Sequence, residues 1–90
     1  MNPIVHFDEK DNLATTLRFL AMGETIEADG QEIVIEEDIP QYHKVALAFI
    51  PKGEFAIKYG EVIGKATNDI RKGTLAHVHN IESLRGRGDK

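Results

Sequence analysis

The sequence contains no cysteine, which excludes a disulfide framework and a thiolate zinc site. It also has no apolar run that approaches the roughly 20 residues of a membrane span. Residues 1–4 lack the basic and apolar regions of a secretory signal. The net charge of −4 provides no electrostatic footprint for nucleic acid. These absences predict a cytoplasmic protein that binds neither membranes nor nucleic acid.

Motifs that mark several enzyme classes are also missing. There is no phosphate-binding Walker loop, no Gly-x-Ser-x-Gly elbow, no His-Glu-x-x-His and no dinucleotide glycine pattern. A length of 90 residues predicts one domain, which we place at residues 1–84, followed by a flexible Arg/Gly tail at residues 85–90. Because ligand pockets usually occupy ~300–1,000 Å³, we expect a chain this small to supply a half-site that another chain completes.

One helix is predicted near the N-terminus. Asp11 and Asn12 are good capping residues, and Gly23 supplies a stop. The apolar residues between them share one helical face and are Leu13, Leu17, Leu20 and Ala21.

The remainder of the chain has the patterns of strands and turns. Asp29-Gly30, between the β-prone residues 25–28 and 31–36, predicts a tight hairpin. An internal repeat follows, in which Ile50-Pro51-Lys52-Gly53 matches Ile70-Arg71-Lys72-Gly73 and Ile39-Pro40-Gln41-Tyr42 is a weaker copy. Each copy predicts a turn that leads into a strand, and the later strands are expected at residues 44–49, 55–59, 62–66 and 75–79. The predicted fold class is mostly β with one helix (α+β), folded over into a compact β structure.

Histidines provide the first candidate site. His77 and His79 are two residues apart, so on a strand their side chains would project to the same side and could hold a divalent metal. A third ligand would come from His43 or from a partner chain. The alternative is a pair of solvated histidines, which the spacing alone favours.

Cationic side chains provide the second candidate. His43-Lys44, just after a turn, would suit a carboxylate, although a solvated pair is the alternative. Arg85 and Arg87 lie between glycines in the tail and could surround a carboxylate or phosphate once the tail is docked.

The sequence resembles the N-terminal SAF-type domain of the altronate/galactarate dehydratase family. The resemblance covers nearly the whole chain and rests on several motifs in the right order. They are Asp11-Asn12-Leu13-Ala14, Asp38-Ile39-Pro40 with His43-Lys44-Val45-Ala46-Leu47, Ile57-Lys58-Tyr59-Gly60-Glu61 with Ile63-Gly64, and Asp69-Ile70 with His77-Val78-His79-Asn80.

This resemblance implies a β-clip fold and the small subunit of a hydro-lyase that is inactive alone. The family converts sugar acids such as altronate to 2-keto-3-deoxy acids, generally with a divalent metal, here iron or manganese shared with a large catalytic subunit. His43-Lys44 and His77-Val78-His79-Asn80 match the family pattern. We expect the substrate to be bound by His43, Lys44, Asn80, Arg85 and Arg87, and the metal by His77 and His79. Two alternatives stay open: the alpha subunit of sulfolactate sulfo-lyase, and a non-catalytic module for ligand binding or assembly.

Two positions depart from the family pattern, and at the first, Asp8, some relatives have a histidine close by. Tyr42 stands where the family usually has glycine before His-Lys. If the backbone there needs a positive φ, the tyrosine adds strain and could change the direction of His43.

Overall fold

The computed structural model describes residues 2–6 and 8–83, and in these residues the chain is all β, with nine strands and no helix. The strands are β1 (Ile4–Val5), β2 (Leu13–Thr16), β3 (Thr25–Ala28), β4 (Gln31–Val34), β5 (Lys44–Ala46), β6 (Phe55–Lys58), β7 (Glu61–Ala66), β8 (Leu75–Ala76) and β9 (Ile81–Ser83). They form a four-stranded sheet in the order β1-β2-β5-β8, the hairpin β3-β4, and a three-stranded sheet in the order β6-β7-β9. The predicted tail at residues 85–90, with Arg85 and Arg87, lies outside the described residues.

The predicted helix is wrong, because its residues form strand β2 and the turn after it. Leu13 belongs to one hydrophobic core and Ala14 to a second core on the opposite face. Their partners on β5, Ala46 and Val45, divide in the same way. Strands β2 and β5 therefore form a wall between two cores, and a strand buried on both faces does not alternate between apolar and polar residues. The helical spacing arose from one strand residue, Leu13, together with the exposed Leu17 and the turn residues Leu20 and Ala21.

The capping residues expected for that helix have another role. The Asp11 carboxylate accepts hydrogen bonds from the backbone N–H groups of Tyr59 and Gly60, at 3.0 and 2.8 Å. The Asn12 side chain donates to the Phe55 carbonyl at 3.0 Å and accepts from Ile57 N–H at 2.8 Å. Both residues thus tie the start of β2 to the hairpin of β6 and β7.

Two hairpins have the same turn. The predicted hairpin at Asp29-Gly30 is confirmed, with φ values of 53° and 77° at the two turn residues. The hairpin between β6 and β7 turns at Tyr59-Gly60, with φ values of 57° and 71°. Positive φ at both central positions matches the right-handed twist of the strands, and glycine in the second position adopts it at little cost.

The internal repeat has four copies rather than three. The additional copy is Leu20-Ala21-Met22-Gly23, and the four copies are joined in pairs by isolated bridges, Leu20 with Ile39 and Ile50 with Ile70. We number these turns in chain order as turn 1 (20–23), turn 2 (39–42), turn 3 (50–53) and turn 4 (70–73). Turns 1 and 2 enclose hairpin β3-β4, and turns 3 and 4 enclose hairpin β6-β7, so the molecule consists of two similar halves.

Candidate functional site

The register of the central sheet brings two histidines together. Lys44 on β5 is paired with Ala76 on β8, in an antiparallel ladder. Since one step further places His43 opposite His77, their rings meet, with centroids 5.2 Å apart and planes tilted by 51°. The two histidines are far apart in sequence, and only this strand pairing makes them neighbours.

The ring of His43 is oriented by a local hydrogen bond. Its Nδ1 lies 3.0 Å from the Gln41 carbonyl oxygen. A carbonyl only accepts, so Nδ1 carries the proton in this bond, and the other nitrogen, Nε2, is the one left to accept a proton or bind a ligand when the ring is neutral. The ring is half-buried, which restricts its motion without removing it from solvent.

His77 stands on a short loop held by Asn80. The Asn80 side chain is buried; its Oδ1 accepts from His77 N–H at 2.9 Å, and its Nδ2 donates to the Leu75 carbonyl at 2.9 Å. The His77 carbonyl in turn accepts from the N–H groups of Asn80 and Ile81. Asn80 thus fixes the loop that presents His77. Its predicted contact with substrate stays a prediction.

A cleft of about 270 Å³ opens beside these residues. Lys44, which is half-buried, lines it together with His77. The remaining lining residues are small or apolar apart from one serine: Ile63, Ala76, Val78, Ile81 and Ser83. Its volume lies slightly below the range usual for ligand pockets and the cleft is open to solvent, so these residues can hold part of a small ligand but not enclose one.

His79 lies elsewhere. Strand β8 ends at Ala76, so His77 and His79 are in a loop, and the expectation that a strand directs them to one side is wrong. His79 lines a second, polar cleft together with Glu37, Asp69 and Arg71, whereas His77 lines the first. A shared metal at His77 and His79 therefore has no support from the loop geometry.

A metal site confined to this chain is not supported either. Within residues 2–6 and 8–83, no three side chains of the histidine, aspartate or glutamate type are grouped so that they could hold a metal ion. A structural zinc normally takes four protein ligands and a catalytic zinc three. A metal shared with another chain stays a prediction.

The conditional expectation about Tyr42 is confirmed in one respect. Its φ is 63°, so the backbone before His43 does have the left-handed conformation that favours glycine. The side chain is 70% exposed, so most of it projects into solvent. Asn, Asp or glycine would adopt this conformation more readily.

Sequence reasoning missed one residue of this site, Thr16. Its side chain is fully buried in β2 beside His43. The hydroxyl donates to the Pro40 carbonyl at 2.7 Å and accepts from His43 N–H at 3.1 Å. No motif marks such a residue, because its role depends on a strand pairing that the sequence does not display.

The fold and the site together define a small all-β domain whose histidine–lysine cleft is open on one side. The chain belongs to the altronate/galactarate dehydratase SAF domain family, since the model of that family matches residues 2–84.

Curated relatives agree with this assignment. The chain is 36% identical to the altronate dehydratase of Bacillus subtilis over 83 residues, which are 92% of this chain and 17% of the relative. It is 43% identical to the altronate dehydratase of Escherichia coli over 73 residues, 81% of this chain and 15% of the relative. It is also 42% identical to the (2R)-sulfolactate sulfo-lyase subunit alpha of Paracoccus pantotrophus over 53 residues, 59% of this chain and 79% of the relative.

The share of each relative that the match covers limits which of its properties can be inferred for this chain. The chain spans less than a fifth of the altronate dehydratases that it matches, but most of the sulfo-lyase subunit. In the part of the chain that the structure describes, there is also no helix long and apolar enough to cross a membrane.

Proposed function

We propose that this domain is the small subunit of a hydroxyacid lyase and contributes His43, Lys44 and His77 to a site that a large catalytic subunit completes. The observation that supports the proposal best is the pairing of β5 with β8, which places the two imidazoles 5.2 Å apart beside the Lys44 cleft. The open cleft and the absence of a complete metal site in the described residues both favour a shared site.

The chemistry of such a lyase requires charge stabilisation. A proton next to a carboxylate is weakly acidic, so its removal by a base needs cations near the carboxylate where negative charge develops. The Lys44 ammonium supplies a fixed charge, and His77 can donate a hydrogen bond to the same group. The base belongs to the large subunit in this proposal. Its removal of the α-proton is followed by loss of the β-hydroxyl as water.

The proposed substrate is a sugar acid of the altronate type. After loss of water the enol product takes up a proton at C3 and becomes a 2-keto-3-deoxy acid. Support comes from the two altronate dehydratases, which match more than four fifths of this chain. The proposed divalent metal, iron or manganese, would be bound mainly by the large subunit, and none of these steps depends on it.

A second candidate is the alpha subunit of a sulfolactate sulfo-lyase. One observation favours it: the matched segment makes up 79% of the Paracoccus subunit, so that relative is itself a small chain. Assaying the reconstituted complex with altronate and with sulfolactate separates the two candidates, because only one substrate should be consumed.

Substitutions in the reconstituted complex test the half-site. We expect Lys44→Ala, His43→Ala and His77→Ala each to lower kcat/KM for altronate by about 100-fold, in line with the loss of one positioned charge or donor. Lys72→Ala, an exposed lysine in turn 4, is the matched control and should keep full activity. Undiminished activity in all three variants, with the complex intact, would show that the domain is a non-catalytic binding or assembly module.

His79→Ala separates two arrangements. If the site is the His43–His77 cleft, the predicted metal role of His79 is not needed and activity is retained. Loss of activity together with loss of bound metal would instead show that the loop rearranges to bring His77 and His79 onto one ion.

A further inference from the structure

The four turns share one pattern of backbone hydrogen bonds. In each, the N–H of the fourth residue donates to the carbonyl of one residue packed against the turn. The N–H of that packed residue donates in return to the carbonyl of the residue that follows the turn, which we call the fifth residue. The packed residues are Ile35 for turn 1, Thr16 for turn 2, Ala66 for turn 3 and Ala46 for turn 4. The four turns can therefore be compared atom by atom.

Three of the turns are closed by a direct bond. In each of them the N–H of the fifth residue donates to the carbonyl of the second. The bonds are Glu24 to Ala21 at 3.0 Å in turn 1, Glu54 to Pro51 at 3.0 Å in turn 3, and Thr74 to Arg71 at 3.2 Å in turn 4.

Turn 2 is closed through a side chain instead. The Thr16 hydroxyl lies between the two atoms that are bonded directly elsewhere, donating to the Pro40 carbonyl at 2.7 Å and accepting from His43 N–H at 3.1 Å. The bridge holds turn 2 open by the width of one oxygen atom. The residue at its fifth position, and thus the one displaced by the bridge, is His43.

The identity of the packed residue accounts for the difference. Ile35, Ala66 and Ala46 have no hydroxyl to insert, so their turns close directly. Thr16 is fully buried, so water cannot easily replace its hydroxyl, and a buried N–H or carbonyl without a partner is costly. Turn 2 is therefore held in its open form as long as residue 16 carries a hydroxyl.

We propose that Thr16 is a positioning residue for His43, and that its inserted hydroxyl sets the place of the His43 ring against His77. Its effect on turnover rests on the proposed function, but its effect on the two rings does not. Without the hydroxyl, turn 2 would close directly between His43 N–H and the Pro40 carbonyl, as the other three turns do, and His43 would shift relative to His77.

The test compares ring contacts in three variants of the full chain by NMR. The wild-type protein should show a nuclear Overhauser effect between ring protons of His43 and His77, since the centroids are 5.2 Å apart. Thr16→Ala, which removes the group that separates His43 N–H from the Pro40 carbonyl, should lose or strongly weaken it, and Thr16→Ser, which keeps the hydroxyl, should retain it. The fold should accept alanine at position 16, because alanine occupies the same position beside turns 3 and 4.

Thr74→Val is the matched control. The Thr74 hydroxyl also donates to the carbonyl of the second turn residue, Arg71, at 2.6 Å, but turn 4 has no inserted group and no histidine. It should leave the ring contact unchanged. An unchanged contact in folded Thr16→Ala would overturn the proposal.

Activity gives a second readout. In the reconstituted complex, Thr16→Ala should lower kcat by up to about 100-fold with a smaller change in KM, the size of effect that a 1 Å misplacement can have. If the ring contact is lost while the wild-type complex has no lyase activity, the proposed function fails and the positioning role stands. If the ring contact is unaffected in Thr16→Ala, the positioning role fails whatever the activity.

Discussion

Turns 2 and 4 both have a positive φ at their fourth residue, but turn 4 requires glycine at this position and turn 2 accepts tyrosine. Tyr42 has φ of 63° and Gly73 has φ of 86°. A Cβ atom on Gly73 would collide with the carbonyl oxygen of Val34, whereas the Tyr42 side chain projects into solvent. Gly73 N–H donates to the Ala46 carbonyl, and its own carbonyl accepts from Glu36 N–H, so this turn joins the two halves of the molecule.

The difference shows that glycine is required here by contact more than by φ. Where the other half of the chain packs against the turn, only glycine fits. Where the turn faces solvent, a larger residue is tolerated at a modest backbone cost. His43 and Lys44 directly follow turn 2, so the candidate site lies next to the turn whose outer surface faces solvent.

The largest expected effect comes from Gly73→Ala. It adds the strain of a positive φ to a clash with backbone, which we expect to lower the free energy of unfolding by about 3 kcal/mol. Chemical denaturation measures this loss. Gly53→Ala is the control, because a Cβ there meets nothing within 4 Å, and it should cost about 1–2 kcal/mol from φ alone. Equal losses of unfolding free energy in the two variants would show that the contact with Val34 is not the reason why position 73 requires glycine.

The two hairpins allow the same kind of comparison. The Asp11 carboxylate accepts from both turn N–H groups at Tyr59-Gly60, but Asp29-Gly30 turns in solvent. Asp11→Ala leaves two N–H groups without their acceptor and should destabilise the protein by about 2–3 kcal/mol, measured by thermal or chemical unfolding. Asp29→Asn keeps a residue that tolerates positive φ and an oxygen that can face His6 Nδ1, 3.4 Å from the Asp29 carboxylate, so it should change stability by no more than about 0.5 kcal/mol.

Tyr42→Gly should stabilise the protein, by less than Gly73→Ala and Asp11→Ala destabilise it. Removal of the backbone strain at φ of 63° is partly offset by the entropy that glycine loses on folding, which leaves a gain of about 0.5–1 kcal/mol in the free energy of unfolding. Tyr42→Ala keeps the strain and should show no such gain. A destabilised Tyr42→Gly variant would mean that the exposed ring makes a contact that compensates for its backbone.

The smallest effect is expected at the surface pair of Arg18 and Glu24, which flank turn 1. The Arg18 guanidinium, 2.9 Å away, holds the pKa of Glu24 below its ordinary value of 4.5, with help from Ala21 N–H. A carboxylate with a lowered pKa in the folded state stabilises the fold above pH 4.5, and this contribution is lost as the pH falls through the lowered pKa. Glu24→Gln should therefore lower the free energy of unfolding slightly at neutral pH and flatten its fall below pH 4.5 by the same small amount, as chemical denaturation across that pH range would measure.

Local signals predicted part of the fold. Asp29-Gly30 identified its hairpin because both turn positions need positive φ, and the Ile-x-Lys-Gly repeat identified turns 3 and 4. The helix prediction failed because Leu13 and Ala14 enter opposite cores, and a strand buried on both sides has no period of two. The copy at residues 20–23 was missed because Ala21-Met22 has little in common with Pro-Lys or Arg-Lys.

The candidate site was only partly accessible from the sequence. His43, Lys44 and His77 were identified from residue type and from the family resemblance, and all three lie at or beside one cleft. The neighbour predicted for His77 was His79, two residues away, whereas its ring contact is with His43, across the β5-β8 ladder. His43 was named only as a possible third metal ligand, and neither its direct ring contact with His77 nor the role of Thr16 could be found without knowing which strands pair.

The most direct test of the half-site is the rate of altronate dehydration by the large dehydratase chain, measured with and without this domain. The account predicts that the large chain alone is nearly inactive, that the domain alone is inactive, and that mixing them restores turnover with saturation at a fixed ratio. A large chain that is fully active without the domain would contradict the account, because His43, Lys44 and His77 would then contribute nothing to the reaction.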